Sequence, residues 1–115
     1  ICDKSYFKFL YDLECRNRQR ETKSIIIGLI TIDNKGHVIL SEEDIKLGMD
    51  VLIEVAYNNL RKGDVVSKWN ENQVAILLYH VLEENIYIVH DRLKEKFDEK
   101  ITDKKITINI RFKPL

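Results

Sequence analysis

Three stretches of the chain carry apolar residues at the spacing of an amphipathic helix. They run from about Lys4 to Arg20, from Ser41 to about Asn59 and from Glu83 to about Phe97. Ser41 is the predicted N-cap of the second helix, with Asp44 at the third helical position. The predicted apolar stripes are Tyr6, Phe9, Leu10 and Leu13; then Ile45, Met49, Leu52, Ile53, Ala56 and Leu60; then Ile86, Val89, Leu93 and Phe97.

Four further stretches are typical of β-strands. Ile25–Ile32 and Gln73–Leu78 are nearly continuous apolar runs, which predicts strands buried on both faces. Val65–Trp69 precedes the second of these runs, and the polar link Asn70-Glu71-Asn72 predicts a hairpin between them. Ile106 to Phe112 alternates apolar and polar residues, as expected of a strand with one solvated face.

The order of these elements predicts one α+β domain. A leading helix is followed by β-α-β-β-α-β, and right-handed crossovers place both long helices on the same face of the sheet. The apolar first and third strands are expected in the interior, and the alternating fourth strand at an edge. The prediction is a ferredoxin-like antiparallel sheet of order 4-1-3-2, with the first helix as an addition.

Composition and charge narrow the functional classes. The 115 residues suit a single domain (1–115), and because the chain opens at Ile1 we expect it to be a piece of a longer protein. Lysine plus arginine equals aspartate plus glutamate at 19 each, which argues against direct nucleic-acid contact. No apolar run approaches the roughly 20 residues that a bilayer requires.

Cys2 and Cys15, if both lie on the first helix, are about 20 Å apart, which is too far for a disulfide. Two unpaired thiols favour a cytoplasmic location.

Isolated polar residues give little sign of chemistry. The arginines at the end of the first helix are expected to complement its dipole in solvent, and the histidines lack metal-ligand spacing. Trp69 is either an exposed contact residue or a half-buried anchor. The arginines are Arg16, Arg18 and Arg20, and the histidines are His37, His80 and His90.

The hairpin carries a family resemblance. The stretch from Leu60 to Leu78 resembles the centre of a GGDEF nucleotide-cyclase domain, in which an R-x-x-D pair precedes a strand, the GGDEF turn and an apolar strand. Arg61 and Asp64 match the R-x-x-D pair. The five signature positions hold Asn70, Glu71, Asn72, Gln73 and Val74, and none matches. In the family's D-x-D motif, Thr31 falls on the first aspartate and Asp33 on the second.

A closer resemblance is to the domain that ends many bacterial transcriptional activators with tetratricopeptide-like (BTAD/SARP-type) regions. That domain has a C-D start, an L-E-x-R helix, an L-R-x-G-D-V-V-S hairpin and a final P-L. The corresponding residues here are Cys2-Asp3, Leu13-Glu14-Cys15-Arg16, Leu60 through Ser67, and Pro114-Leu115.

The resemblance implies a domain that has lost its chemistry. The family's metal ligands fall on Thr31 and Asn72, which are neutral, and Glu71 replaces a glycine beside the triphosphate site. Asp33 is expected to cap a turn. We therefore expect a non-catalytic regulatory domain without a cofactor, acting through protein contacts within its parent regulator or a homodimer.

Two alternatives remain open at the sequence level. The domain could be a receptor for cyclic di-GMP or GTP that uses Arg61 and Asp64, although this pair could simply hydrogen-bond a helix-to-strand turn. An active diguanylate cyclase would require metal ligands that the sequence does not reveal.

Overall fold

The computed structural model describes residues 2–17 and 25–115, with the side chain of Asn17 left out. Arg18, Arg20 and the predicted end of the first helix therefore lie outside the described residues. The elements are α1 (Lys4–Asn17), β1 (Ile25–Asn34), α2 (Glu42–Asn59), β2 (Val65–Asn70), β3 (Gln73–Tyr79), a short 3₁₀ turn (Glu83–Asn85), α3 (Ile86–Lys100) and β4 (Ile106–Pro114).

The four strands form one antiparallel sheet of order β2-β3-β1-β4. This confirms the predicted order and the α+β class, because the two apolar strands occupy the interior. β1 continues two residues beyond its predicted end, to Asn34, and the turn follows at Lys35–His37. Gly36 has a φ of 76° there, a conformation that glycine adopts without steric cost.

The start of α2 is fixed by a reciprocal capping box, as predicted. The Asp44 backbone N–H donates to Ser41 Oγ at 3.1 Å, and the Ser41 N–H donates to Asp44 Oδ2 at 3.0 Å. The bond from the Ser41 backbone lowers the pKa of Asp44, with further help from Lys105 at 3.3 Å. Hydrogen bonds to Asp103 and then Asp44 in turn raise the pKa of Lys105.

The main hydrophobic core lies between the sheet and the helices α2 and α3. The even-numbered residues of β1 point into it, and α3 contributes Leu93 and Phe97, both fully buried. Burial of this kind stabilises a fold by roughly 25 cal/mol per Å² of apolar area. The sixteen buried residues of the cluster are Ile26, Ile30, Ile32, Met49, Leu52, Val55, Ala56, Val66, Val74, Ile76, Leu78, Leu93, Phe97, Ile101, Ile106 and Ile108.

The opposite face of the sheet has a smaller core, formed with α1. Phe7 is 1% exposed and packs with Ile25, Ala75 and Leu77. The prediction of which side of α1 faces the sheet is wrong, because Phe7 and Leu10 contact the sheet. Tyr6 and Phe9 are more than half exposed, and Leu13 is also exposed.

Residue Cys2 precedes α1 rather than lying on it, which corrects the assumption that both cysteines share this helix. Its backbone N–H donates to the Val66 carbonyl at 2.9 Å, and it forms an isolated parallel bridge with Ser67 of β2. Both Cys2 and Cys15 are free thiols.

Candidate functional site

The five signature positions form the tip of the β2–β3 hairpin. β2 includes Asn70, so the turn is the two residues Glu71 and Asn72, one fewer than predicted. The Asn72 N–H donates to Asn70 Oδ1 at 3.1 Å, and Asn70 Nδ2 donates to Gln73 Oε1 at 2.6 Å. Polar side chains therefore brace this turn internally, while Glu71 is exposed.

The hairpin tip meets the end of β1, as the alignment of the two motifs requires. Thr31 pairs with Gln73 in the sheet register, and Gln73 Nε2 donates to Thr31 Oγ1 at 3.0 Å. The Ile32 N–H donates to the Asn72 carbonyl at 2.8 Å. The end of β1 and the hairpin tip, which hold Thr31 and Asn72, are thus brought together by hydrogen bonds in which Thr31 contacts Gln73 and Asn72 contacts Ile32.

Asp33 is the one carboxylate at the predicted D-x-D positions. It is exposed, and its Oδ1 accepts the Asn34 N–H at 2.8 Å, so it caps the end of β1. Hard divalent cations prefer several carboxylate ligands. Residues 2–17 and 25–115 contain no cluster of three His, Cys, Asp or Glu side chains that could hold a metal. Thr31 and Asn72 are neutral neighbours of Asp33, so this donor set does not fit a pair of divalent cations.

The carboxylate of Asp64 ties the end of α2 to the end of β3. Its side chain is only 4% exposed; Oδ2 accepts the Arg61 N–H at 3.0 Å and Oδ1 accepts the Tyr79 N–H at 3.1 Å. Arg61 Nε lies 3.6 Å from Asp64 Oδ2, and the guanidinium donates to the Tyr79 carbonyl. These bonds satisfy backbone groups of a turn, which is a structural use of the pair.

Tyr79 is the partner that sequence reasoning missed. Its main-chain N–H and carbonyl bind Asp64 and Arg61, and main-chain groups leave no residue-type signal in a sequence. Partial burial raises the pKa of the Tyr79 phenol, with smaller contributions from Glu14, Tyr6 and Asp64. His80 follows with a φ of 60°, a left-handed conformation that directs the chain away from β3.

A cavity of about 640 Å³ lies beside the Arg61–Asp64 turn. Tyr57, 71% exposed, and Tyr6, 52% exposed, lie on its wall together with Lys62. Arg61 itself keeps 58% of its side chain exposed, so its outer edge faces solvent beside these aromatic rings.

Trp69 is half-buried and packs on α1. Its ring lies 6.0 Å from that of Phe7 in an edge-to-face arrangement, and Lys4 Nζ lies 4.4 Å from the Trp69 ring centroid. Of the two alternatives that the sequence left open for Trp69, an exposed contact residue or a half-buried anchor, the structure shows the half-buried anchor. His90 packs edge-on against Phe112 and has its Nδ1 at 3.1 Å from the Asp91 carboxylate.

The arrangement of α1, the four-stranded sheet and the β2–β3 hairpin is that of GGDEF domains. A "DGC protein" from Thermotoga maritima superposes with a TM-score of 0.80 over 99% of this chain and 81% of its own, at 16% identity. The GGDEF domain of DgcB from Caulobacter crescentus, in complex with c-di-GMP, gives 0.80 over 100% and 73% at 8% identity. The FimX GGDEF domain from Pseudomonas aeruginosa gives 0.78 over 100% and 75% at 17% identity.

The TM-scores establish a shared fold, and at identities of 8–17% the similarity concerns the fold alone. No protein-family model matches the chain, and no curated protein matches it. The chain therefore has the GGDEF-like nucleotide-cyclase fold. Among the described helices, none is both long and apolar enough to cross a bilayer.

Proposed function

We propose that this chain is a non-catalytic regulatory and interaction domain built on a GGDEF-like scaffold. The observation that carries the proposal is the hydrogen-bonded contact between the hairpin and the end of β1. Thr31 Oγ1 accepts from Gln73 and the Asn72 carbonyl accepts from Ile32, where carboxylate ligands for two cations would have to converge. A neutral hydroxyl and a neutral amide at these two positions are poor replacements for carboxylate ligands, and the Thr31 hydroxyl is already hydrogen-bonded to Gln73.

The turn itself adds a second argument. A triphosphate needs a close approach of backbone N–H groups, for which glycine is suited. Here Glu71 places a carboxylate at the exposed tip, and Asn70 uses both its amide nitrogen and its amide oxygen within the hairpin. A negative charge at this position repels a nucleotide phosphate.

The proposed parent is a bacterial transcriptional regulator of the BTAD/SARP type, located in the cytoplasm. Support comes from the short motifs that carried the resemblance, because the fold brings two of them into contact. Cys2 of the first motif bridges Ser67 of the hairpin motif, and the Leu115 N–H donates to the Ile25 carbonyl at 2.9 Å.

The decisive experiment measures cyclase activity and metal binding separately. We expect no cyclic di-GMP from GTP with Mg²⁺ or Mn²⁺, under conditions in which an active diguanylate cyclase serves as the positive control. We also expect the Thr31→Asp/Asn72→Asp variant to gain Mn²⁺ binding by calorimetry relative to the unaltered chain. Product formation by the unaltered chain, or equal Mn²⁺ affinity in both proteins, would contradict the proposal.

A second candidate function is a receptor for cyclic di-GMP or GTP that uses Arg61. The cavity beside Arg61 favours it, since Tyr6 and Tyr57 could stack on a base and Lys62 adds positive charge. Asp64 contributes to this candidate through its hold on Arg61 rather than through a free carboxylate.

Calorimetry with cyclic di-GMP and with GTP tests this candidate. Binding that is lost in Arg61→Ala and Tyr57→Ala but retained in Lys46→Ala, an exposed residue elsewhere on α2, would support a receptor. No heat at millimolar nucleotide, with and without Mg²⁺, would eliminate it.

A further inference from the structure

The face of the sheet that carries α1 has an apolar groove next to that helix. Its volume is about 280 Å³, and its floor is formed by Ile27, Leu29 and Ala75. Phe7 and Trp69 form one wall. The described part of the chain leaves Ile27 and Leu29 only half-buried, although both lie in an interior strand of the sheet.

The groove has the width of one helix. Helix α1 contacts β2 and packs through Phe7 on β3 and on Ile25 at the start of β1, which leaves the rest of β1 and β4 without a covering helix among the described residues. Two strands span about 10 Å in the hydrogen-bonding direction, and a helix with its side chains is about 10–12 Å across. A second helix beside α1 would cover this half of the face.

The rim of the groove is positively charged on the β4 side. Lys113 pairs with Ile27 and Arg111 pairs with Leu29 in the register, so both cations project from the same face as the apolar floor. Both are exposed, and neither forms an ion pair within residues 2–17 and 25–115.

Two further cations, on α1, lie beside the Trp69 wall of the groove without lining it. Lys4 and Lys8 lie over the Trp69 ring, at 4.4 Å and 5.6 Å from its centroid. The whole chain has no net charge, with 19 basic and 19 acidic residues, so this concentration of cations around an apolar floor is local.

We propose that this groove docks an amphipathic α-helix of a partner protein, one with large apolar side chains along one face and carboxylates on its flanks. The inference deepens the interaction role proposed above and rests on it. The apolar floor takes the helix's apolar stripe, while Arg111 and Lys113 pair with acidic residues along its edge. Charge complementarity selects such a helix over a basic or neutral one.

Trp69 provides the readout, because it is the only tryptophan in the chain and lines the groove. The probe is a synthetic helical peptide of about 18 residues with Leu and Phe on one face and Glu beside them. Two control peptides have the same composition in scrambled order, or Lys in place of Glu. We expect saturable changes in Trp69 fluorescence with the acidic amphipathic peptide only.

Variants of the chain locate the contact. Arg111→Glu/Lys113→Glu should weaken binding by about tenfold or more, because two attractive contacts become repulsive. The matched control Lys46→Glu/Arg92→Glu makes the same charge change on exposed residues of α2 and α3 and should leave the affinity unchanged. Circular dichroism of each variant confirms that the fold is retained.

Three results would overturn the inference. One is equal binding of the acidic, scrambled and basic peptides, or no binding at millimolar peptide. Another is self-association in sedimentation that Arg111→Glu/Lys113→Glu abolishes, which would make a second copy the occupant. A third is a stronger Trp69 response to decanoate than to the acidic peptide. None of these results involves cyclase activity, so a failure here is distinct from a failure of the proposed non-catalytic role.

Discussion

One face of the sheet is buried beneath α2 and α3, whereas α1 covers only part of the other. The first face holds sixteen buried apolar residues in one cluster, and the second holds four. The difference shows where the stability of this domain resides. It also shows that the open face can change with limited cost to folding, which suits a surface that makes contacts.

The largest expected effect comes from truncating one buried phenylalanine on each face. Phe97→Ala removes a ring that is 0% exposed in the main core and should destabilise the protein by about 3–5 kcal/mol. Phe7→Ala removes a ring that borders the open groove, so water can fill part of the space, and about 2–3 kcal/mol is expected. Urea denaturation of both variants measures the difference. Equal losses would show that the two faces contribute alike.

A smaller effect is expected from adding one methyl group at Gly28 of β1, on the face of the sheet that packs against the main core. A Cβ at Gly28 would lie 2.8 Å from Ile76 Cγ1 and 2.8 Å from Phe112 Cε1, too close for carbon atoms. Gly28→Ala should therefore cost about 1–3 kcal/mol. Gly63→Ala is the matched control, because a Cβ there meets no atom within 4 Å. A melting temperature of Gly28→Ala equal to that of Gly63→Ala would show that this side of the sheet is loosely packed.

On the α1 side, one substitution is expected to stabilise the protein. Ser67 is 0% exposed, and its Oγ has no hydrogen-bond partner among the described residues. Ser67→Ala removes a buried polar atom without changing the backbone and should raise the stability by about 1 kcal/mol. Thermal unfolding checks this, with Ser5→Ala, on the exposed side of α1, as a control. A destabilised Ser67→Ala protein would mean that the hydroxyl has a partner after all.

The smallest effect concerns the capping box of α2 and depends on pH. The fold lowers the pKa of Asp44, so this carboxylate contributes stability above its ordinary value of 3.8 and loses that contribution as the pH falls through the lowered value. The melting temperature of Asp44→Asn should therefore fall below that of the unaltered chain at neutral pH and approach it as the pH falls below 3.8 and through the lowered pKa. Asp50→Asn, on the same helix, controls for loss of charge alone. A difference that stays constant with pH would refute this role.

Periodicity was sufficient for the order of the strands, because the apolar runs of β1 and β3 can be buried only in the interior of a sheet. It failed for α1, whose apolar residues lie on more than one side. Phe7 and Leu10 face the sheet, while Tyr6, Phe9 and Leu13 do not, and spacing alone cannot choose between these sides.

The motifs in the sequence were enough to locate the candidate site. The roles of its residues became clear only from their contacts in the structure. Arg61 and Asp64 were identified from their match to the R-x-x-D pair of GGDEF domains. Their partner is the main chain of Tyr79, which lies 15 residues beyond Asp64. The braced turn at Asn70 and the bond between Gln73 and Thr31 likewise depend on the register of paired strands, which no single stretch of sequence specifies.

The bridge between Cys2 and β2 has a consequence for solubility. β2 is an outer strand, and an outer strand with free N–H and carbonyl groups is a template on which other chains can add and aggregate. The Cys2 N–H donates to the Val66 carbonyl near the start of that strand and holds the segment before α1 against it. The segment before α1 therefore shields this border of the sheet from intermolecular strand pairing.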